Sequence, residues 1–279
     1  MCIGIIILGC SSEDVERYFE YPDHNVLNIG SRLTDLYITN DSNTLIVADK
    51  GNNRILFIDV STDDMFIKKR VWVGSEPTSL DMTSDGRYLL VGLQGASGIS
   101  VVSMEELSLV GTIELDEDNV FDVEYIDKSD QLIVSFMSSL PAYNKTKIYQ
   151  WVGQAWNSNF QVELVDPLGY VNYAGQITVS DDEEYLYILD KFNGPPYWVL
   201  RYDITDQGLE NRVNSSNIAD GPITLYDIEY IPNFGVVVAL GGSDIIDGNV
   251  LDHAPVYDLN NLNHIGNLDL GSVPLAIAY

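Results

Sequence analysis

The sequence predicts an all-β fold, a β-propeller of four-stranded blades, and three observations lead there. The first is the stretch 45–59. Leu45-Ile46-Val47-Ala48 and Ile55-Leu56-Phe57-Ile58 flank the corner Asp49-Lys50-Gly51-Asn52-Asn53-Arg54. Gly and Asn tolerate positive φ, and Asn and Asp bond their own backbone, so two apolar runs around such a corner read as a hairpin. The second is recurrence. Leu36, Leu80, Val123, Ile177 and Ile228 each open a similar unit, at separations of 44, 43, 54 and 51 residues. A period of about 40–50 residues is that of a propeller blade. The third is a shared order within each unit: an apolar strand, a polar turn, a second apolar strand, a loop, a third strand ending near Asp, and an outer strand.

Unit one runs through Leu36-Tyr37-Ile38, the turn Asn40-Asp41-Ser42-Asn43, residues 45–48 and 55–59, and the outer strand Val71-Trp72-Val73. Unit two has Leu80-Asp81-Met82, the turn Ser84-Asp85-Gly86, then 88–91, 99–102 and 109–115. Unit three has Val123-Glu124-Tyr125, the turn Lys128-Ser129-Asp130, then 132–134, 148–152 and 160–165. Unit four has Ile177-Thr178-Val179, the turn Asp181-Asp182-Glu183, then 185–189, 198–204 and a weakly marked outer strand near 212–218. Unit five has Ile228-Glu229-Tyr230, the turn Pro232-Asn233-Phe234-Gly235, then 236–240, 254–258 and 264–270. Pro274-Leu275-Ala276-Ile277-Ala278-Tyr279 matches the first strand of a sixth unit, and residues 15–30 read as an outer strand arriving before unit one. The expectation is one propeller domain over 13–279, C-terminally incomplete, from a parent of six or seven blades.

Composition narrows the partners. Fourteen Lys and Arg stand against 42 Asp and Glu, a net charge of −28. Nucleic acid is excluded as a partner, because phosphate contacts need cations. An anionic membrane surface is disfavoured for the same reason. Cation binding fits, and so does a solvated acidic surface of the kind a salty habitat favours. The two cysteines, Cys2 and Cys10, lie in the first ten residues, so a disulfide or Cys-ligated zinc in the body of the chain is excluded. His24, His253 and His264 are scattered without metal-site spacing.

Residues 1–9 are apolar, too short to span a bilayer, and read as the tail of a secretory signal. Ile7-Leu8-Gly9-Cys10 followed by Ser11-Ser12 resembles the lipobox of bacterial lipoproteins, which implies lipidation at Cys10. Residues 1–12 are therefore expected to be a signal or lipobox-like segment of an exported protein, at the cell surface, in the periplasm or secreted. Membrane contact would run through that lipid alone. A buried N-terminal strand is the alternative.

Ile46-Val47-Ala48-Asp49-Lys50-Gly51-Asn52-Asn53-Arg54-Ile55, with Asp59, resembles the NHL repeat. Residues 77–91, with Pro77, Ser84-Asp85-Gly86 and Tyr88-Leu89-Leu90-Val91, resemble the YVTN, lactonase-like repeat. Units three to five share only the rhythm. The resemblance implies a propeller, often extracytoplasmic, and no single activity.

Alignment of the units places Asp35, Ser79, Asp122, Gln176 and Asp227 at one position, just before each first-strand anchor. If these side chains converge at a channel mouth, their oxygens suit Ca²⁺. Gluconolactonase-like and paraoxonase-like propellers, which the resemblance brings in, hold a divalent metal there. A water-filled polar channel, with Asp and Ser capping strand starts, is the alternative. Loops 94–98, 137–145, 191–197 and 241–253 share a rim. In the third, Asn193, Tyr197 and Trp198 beside Pro195-Pro196 offer a stiff aromatic platform for a sugar face or an apolar side chain. Trp198, Trp151 and Trp156 also suit packing between blades. No Ser-His-Asp arrangement, nucleophile elbow or phosphate loop is present. Two functions stay open: a non-catalytic module binding a protein, peptide or glycan, and a metal-dependent, lactonase-like hydrolase or lyase.

Overall fold

A computed structural model describes residues 27, 29, 32–62, 64–137, 145–151, 160–164, 170–171, 175–190, 198–205, 208–215, 224–231, 236–242, 245–246, 249–250 and 253–269. Along it, antiparallel sheets follow one another in chain order. The first is β1 (Leu33–Ile38), β2 (Thr44–Asp49), β3 (Arg54–Asp59) and β4 (Phe66–Trp72). The second is β5 (Pro77–Met82), β6 (Tyr88–Leu93), β7 (Gly98–Ser103) and β8 (Ser108–Glu114). The third is β9 (Val120–Ile126), β10 (Gln131–Phe136), β11 (Lys145–Trp151) and β12 (Val162–Leu164), with the short β13 (Tyr170–Val171) also on β11. The fourth is β14 (Ile177–Val179), β15 (Tyr185–Asp190), β16 (Trp198–Thr205) and β17 (Gly208–Asn214).

The fifth opens with β18 (Thr224–Ile231) and β19 (Val236–Gly242). A separate hairpin of β20 (Ile245–Ile246) and β21 (Asn249–Val250) follows. The sheet closes with β22 (His253–Asp258) and β23 (His264–Asp269). All five expected units are therefore blades. The small hairpin is new, inside a stretch read as plain loop. Cys10, the segment 15–26 and residues 270–279 lie outside the described residues.

The first turn of each blade shows how the sequence sets the hairpin. In blade 1, Thr39 N–H bonds the Thr44 carbonyl and Ser42 N–H bonds the Thr39 carbonyl. Thr39 Oγ1 donates to Asp41 Oδ1 (2.6 Å) and accepts from Thr44 N–H (3.1 Å). Thr83 with Asp85 and Tyr88 repeats this in blade 2, and Ser180 with Asp182 and Tyr185 repeats it in blade 4. The left-handed position falls on Ser42 (φ 56°), Gly86 (φ 68°) and Glu183 (φ 54°). Only one is glycine, because the Asp and Thr or Ser bonds hold the backbone there regardless. At the corner 49–54, likewise, residues Lys50–Asn52 form a 3₁₀ turn and Asn53 takes the left-handed position at φ 55°, not Gly51.

Alternation along each strand sends one set of side chains to the preceding blade and the other to the next. The apolar core is thus a series of seams. Ile46, Ile55 and Phe57 of blade 1 meet Leu80, Leu89 and Val91 of blade 2. Leu90, Ile99 and Ile113 meet Val123, Leu132 and Val134. Ile126, Ile133 and Ile148 meet Leu186, Ile188 and Leu200. Tyr187, Leu189 and Val199 meet Ile228, Tyr257 and Leu262, with Tyr187 stacked on Tyr230 at 5.9 Å. The outward face of blade 1, including Leu36, Val47 and Ile58, is covered in part by Leu27 and Ile29. Trp151 is 5% exposed within the blade 2–3 seam, a packing role.

One backbone approach is close. A Cβ on Gly92 would stand 2.4 Å from Ser79 Oγ and 2.9 Å from Val120 Cγ1, across the blade 2–3 seam. Gly92→Ala is expected to lower unfolding free energy by about 1–3 kcal/mol through overpacking. Urea titration checks this, and a variant as stable as wild type would contradict the seam geometry.

Candidate functional site

The innermost strand of every blade, β1, β5, β9, β14 or β18, pairs on one side only. Its other edge carries backbone groups that need partners. Across the first three seams carboxylates supply them. Asp35 Oδ1 accepts from Leu36 N–H at 2.8 Å, and its Oδ2 accepts from Leu80 N–H in the next blade at 2.7 Å. Asp122 repeats this with Val123 N–H (2.9 Å) and, in blade 4, Ile177 N–H (2.8 Å). In blade 2 the aligned residue is Ser79, and the bridge moves two residues along. Asp81 takes Met82 N–H (2.7 Å) and Tyr125 N–H of blade 3 (2.6 Å). The shift of two keeps the carboxylate on the same strand face. Threonines add parallel links: Thr34 Oγ1 donates to the Pro77 carbonyl and Thr78 Oγ1 to the Val120 carbonyl.

Asp35 and Asp122, two of the five aligned residues, thus bond backbone groups of neighbouring blades. Their carboxylates turn into separate seams, each reaching the next blade. Ser79, 2% exposed, sits against Gly92, and its Oγ has no hydrogen-bond partner. Gln176 Oε1 is likewise buried without a partner. Asp227 lies on β18 opposite Leu240, and its side chain is outside the described residues, as is that of Trp198 opposite Asp190. Asn193 and Tyr197 are also outside them. Among the described residues no group of three His, Cys, Asp or Glu side chains is placed to hold a metal.

The rim where blades are linked carries a charged network that the sequence reading missed. Lys50, from the 49–54 corner, pairs with Glu76 of the link to blade 2 (3.2 Å) and donates to Gln94 of the blade 2 loop. Beside it, fully buried Asp49 holds Arg54 Nε at 2.7 Å and Asn52 Nδ2 at 2.9 Å. One seam on, Lys147 contacts Asp116 (2.7 Å) and Glu117 (2.9 Å), and Lys145 contacts Glu117 (2.7 Å). Tyr149 Oη donates to Asp116 Oδ1 at 2.5 Å.

Burial works hardest against the charge on Lys147, yet its bonds to Asp116 and Glu117 prevail and raise its pKa. Glu117 is held below the usual carboxylate range, chiefly by Lys145. Burial drives the Tyr149 hydroxyl upward, and Asp116 adds to it. The only sequence cue to this network was the corner itself, since its partners lie 26 or more residues away. Chemically it is a stiff, mixed-charge platform, fully paired.

Burial also acts on the charge of the Asp81 bridge. Burial of its carboxyl raises its pKa from 3.8 to about 7, against the two N–H bonds, and Glu183 adds to the rise. A carboxyl that titrates higher folded than unfolded binds the proton more tightly in the native state. Its stability contribution is therefore complete below about pH 4 and declines as pH rises through about 7. Unfolding free energies of wild type and Asp81→Asn, taken from pH 4 to 7, are expected to converge or cross as wild type loses ground. A difference independent of pH would refute the assignment.

With the geometry in place, comparison with known proteins adds family context. The family described as Lactonase, 7-bladed beta-propeller matches residues 12–119. A search of curated proteins gives no match. Among solved structures, Kuenenia stuttgartiensis hydrazine synthase superposes with TM-score 0.61 at 14% identity, over 86% of this chain and 66% of that one. A functionally unknown protein from Desulfotomaculum acetoxidans gives TM-score 0.57 at 12% identity, over 89% and 90%. The Cps50 (Swd1) β-propeller domain of Myceliophteria thermophila gives 0.51 at 11%, over 72% and 63%. The chain thus spans just under two thirds of the first of these. At such identities the likeness carries the fold alone. The chain is a β-propeller in fold, and over residues 12–119 it is similar to the lactonase family of seven-bladed propellers.

Proposed function

We propose that this propeller is a non-catalytic binding and scaffold module, exported and held at the cell surface, which engages a protein, peptide or glycan on its loop rim. The observation that carries the reading is the use of Asp35, Asp81 and Asp122. Each carboxylate already accepts two backbone N–H groups across a seam. These residues act as joints between blades, and oxygens committed to backbone donors are poorly disposed to gather around one ion. The rim network of Lys50, Glu76 and Gln94 fixes the loop bases of neighbouring blades relative to one another, which is what a preorganised docking face requires. Asn193, Tyr197 and Trp198 remain the proposed contacts on that face. Cys10 is the proposed lipidation site and the only membrane attachment.

The match to the lactonase family favours a second reading, a divalent-metal-dependent hydrolase or lyase. Calcium separates the two. With NaCl matched for ionic strength, so that screening of the −28 charge is held constant, Ca²⁺ and millimolar EDTA are expected to leave Tm unchanged. A Ca²⁺-dependent rise in Tm that is lost in the Asp122→Asn, Asp227→Asn double variant would instead support the hydrolase.

Two further outcomes follow. Asp122→Ala is expected to lower stability by about 2–3 kcal/mol, since two buried N–H groups lose a charged acceptor. An effect below about 0.5 kcal/mol in urea melts would remove the joint from the argument. In a host that lipidates exported proteins, Cys10→Ala is expected to shift the protein from the detergent phase to the aqueous phase of a Triton X-114 partition. Identical partitioning of the two proteins would end the anchor proposal.

A further inference from the structure

The outer strand of blade 1 stands apart from the rest of the acidic surface. β4 reads Phe66-Ile67-Lys68-Lys69-Arg70-Val71-Trp72. Three of the chain's 14 basic residues are consecutive here. Lys68 is engaged, with Asp59 at 2.9 Å. Lys69 and Arg70 are exposed and make no ion pair among the described residues, whereas Lys50, Arg54, Arg87, Lys128, Lys145, Lys147 and Arg201 all do. Two adjacent cations without an ion pair among the described residues stand out in a chain with 42 carboxylates. Exposed aromatics flank them: Phe66 is 53% exposed and Trp72 65%.

Three features turn this patch into a site. β4 pairs with β3 alone among the described strands, so its outer edge offers an unfilled ladder of N–H and C=O groups. Register puts Arg70 opposite Leu56 and Trp72 opposite Arg54 on one face, and Lys69 opposite Phe57 on the other. The free edge therefore carries a cation on each side. Lysine on an edge strand can simply discourage pairing, but the other outer strands do not use that device. β8 and β23 contain no Lys or Arg, and β17 contains one Arg. Nor do guard residues explain two large exposed aromatics. At about 0.15 M salt the Debye length is about 8 Å, so the local cations govern contact and the distant acidic surface does not.

We propose that the outer edge of β4 is a docking edge for an extended acidic segment of a partner protein, which adds to blade 1 as a fifth strand. Main-chain bonds along β4 hold the segment, its carboxylates meet Lys69 and Arg70 on opposite faces, and an apolar residue covers Trp72. This edge is separate from the rim, and the inference stands whether or not the rim binds a ligand.

The probe is a fluorescein-labelled nonapeptide of repeated Val-Asp-Asp, read by fluorescence anisotropy at about 0.15 M salt. Saturable binding is expected, weakened about tenfold by Lys69→Glu with Arg70→Glu and reduced by Trp72→Ser. All three positions are exposed, so circular dichroism should report unchanged folding. The same peptide N-methylated at alternate amides keeps its charge and cannot extend the sheet, and it should not bind. The proposal is overturned by any of four results: no binding at millimolar peptide, binding indifferent to the charge reversals, equal binding of the N-methylated peptide, or affinity only for phosphatidylserine vesicles. Self-association in sedimentation that Trp72→Ser abolishes would also overturn it, by making a second copy the occupant.

Discussion

A propeller blade leaves the inner edge of its first strand without a sheet neighbour, and satisfying that edge governs much else in this molecule. Backbone donors buried near an axis cost free energy if left unbonded. Here an aspartate on one blade closes the gap to the next, with one oxygen on its own strand and the other across the seam. Asp81 shows that the requirement is geometric and not tied to one alignment column. Where blade 2 has Ser79, the bridge reappears two residues later on the same face.

The remaining contacts fit around that joint. Apolar seams supply most of the stabilisation through burial, and polar links at both rims fix the angle between blades. At the rim opposite the links, Ser84 Oγ donates to Asp127 Oδ2, and the two oxygens of Glu183 take Asp127 N–H (2.8 Å) and Lys128 N–H (2.7 Å). Turns of blades 2, 3 and 4 are thereby laced together. Arg201 does the same between blades 4 and 5, donating to the carbonyls of Leu259 and Asn260 while lying 4.7 Å from the Tyr185 ring.

Much of the architecture was legible because it is local. Each hairpin depends on residues within six positions of one another, as Thr39, Asp41 and Thr44 show, and strand order follows from the repeat. The candidate site was less legible because its decisive facts are long-range. Sequence alignment found Asp35 and Asp122, yet it could not tell which way their side chains turn. The two carboxylates, equivalent in sequence, turn into different seams, each reaching the next blade. The Lys147 network joins residues about thirty positions apart, and Lys147 itself reads as an ordinary strand cation. The corner 49–54 offered both Gly and Asn for a left-handed position, and Asn53 takes it. Glu183 likewise takes the left-handed position of its turn, at φ 54°, and its carboxylate also reaches the neighbouring blade.

The direction of the aspartate joints has a consequence for biogenesis. Asp35, Asp81 and Asp122 each reach from an earlier blade to a later one, never the reverse. On a ribosome the chain emerges in that same order, and folding units form as they appear. The inner strands of blades 2, 3 and 4 thus each meet an acceptor mounted on the blade that precedes them in the chain.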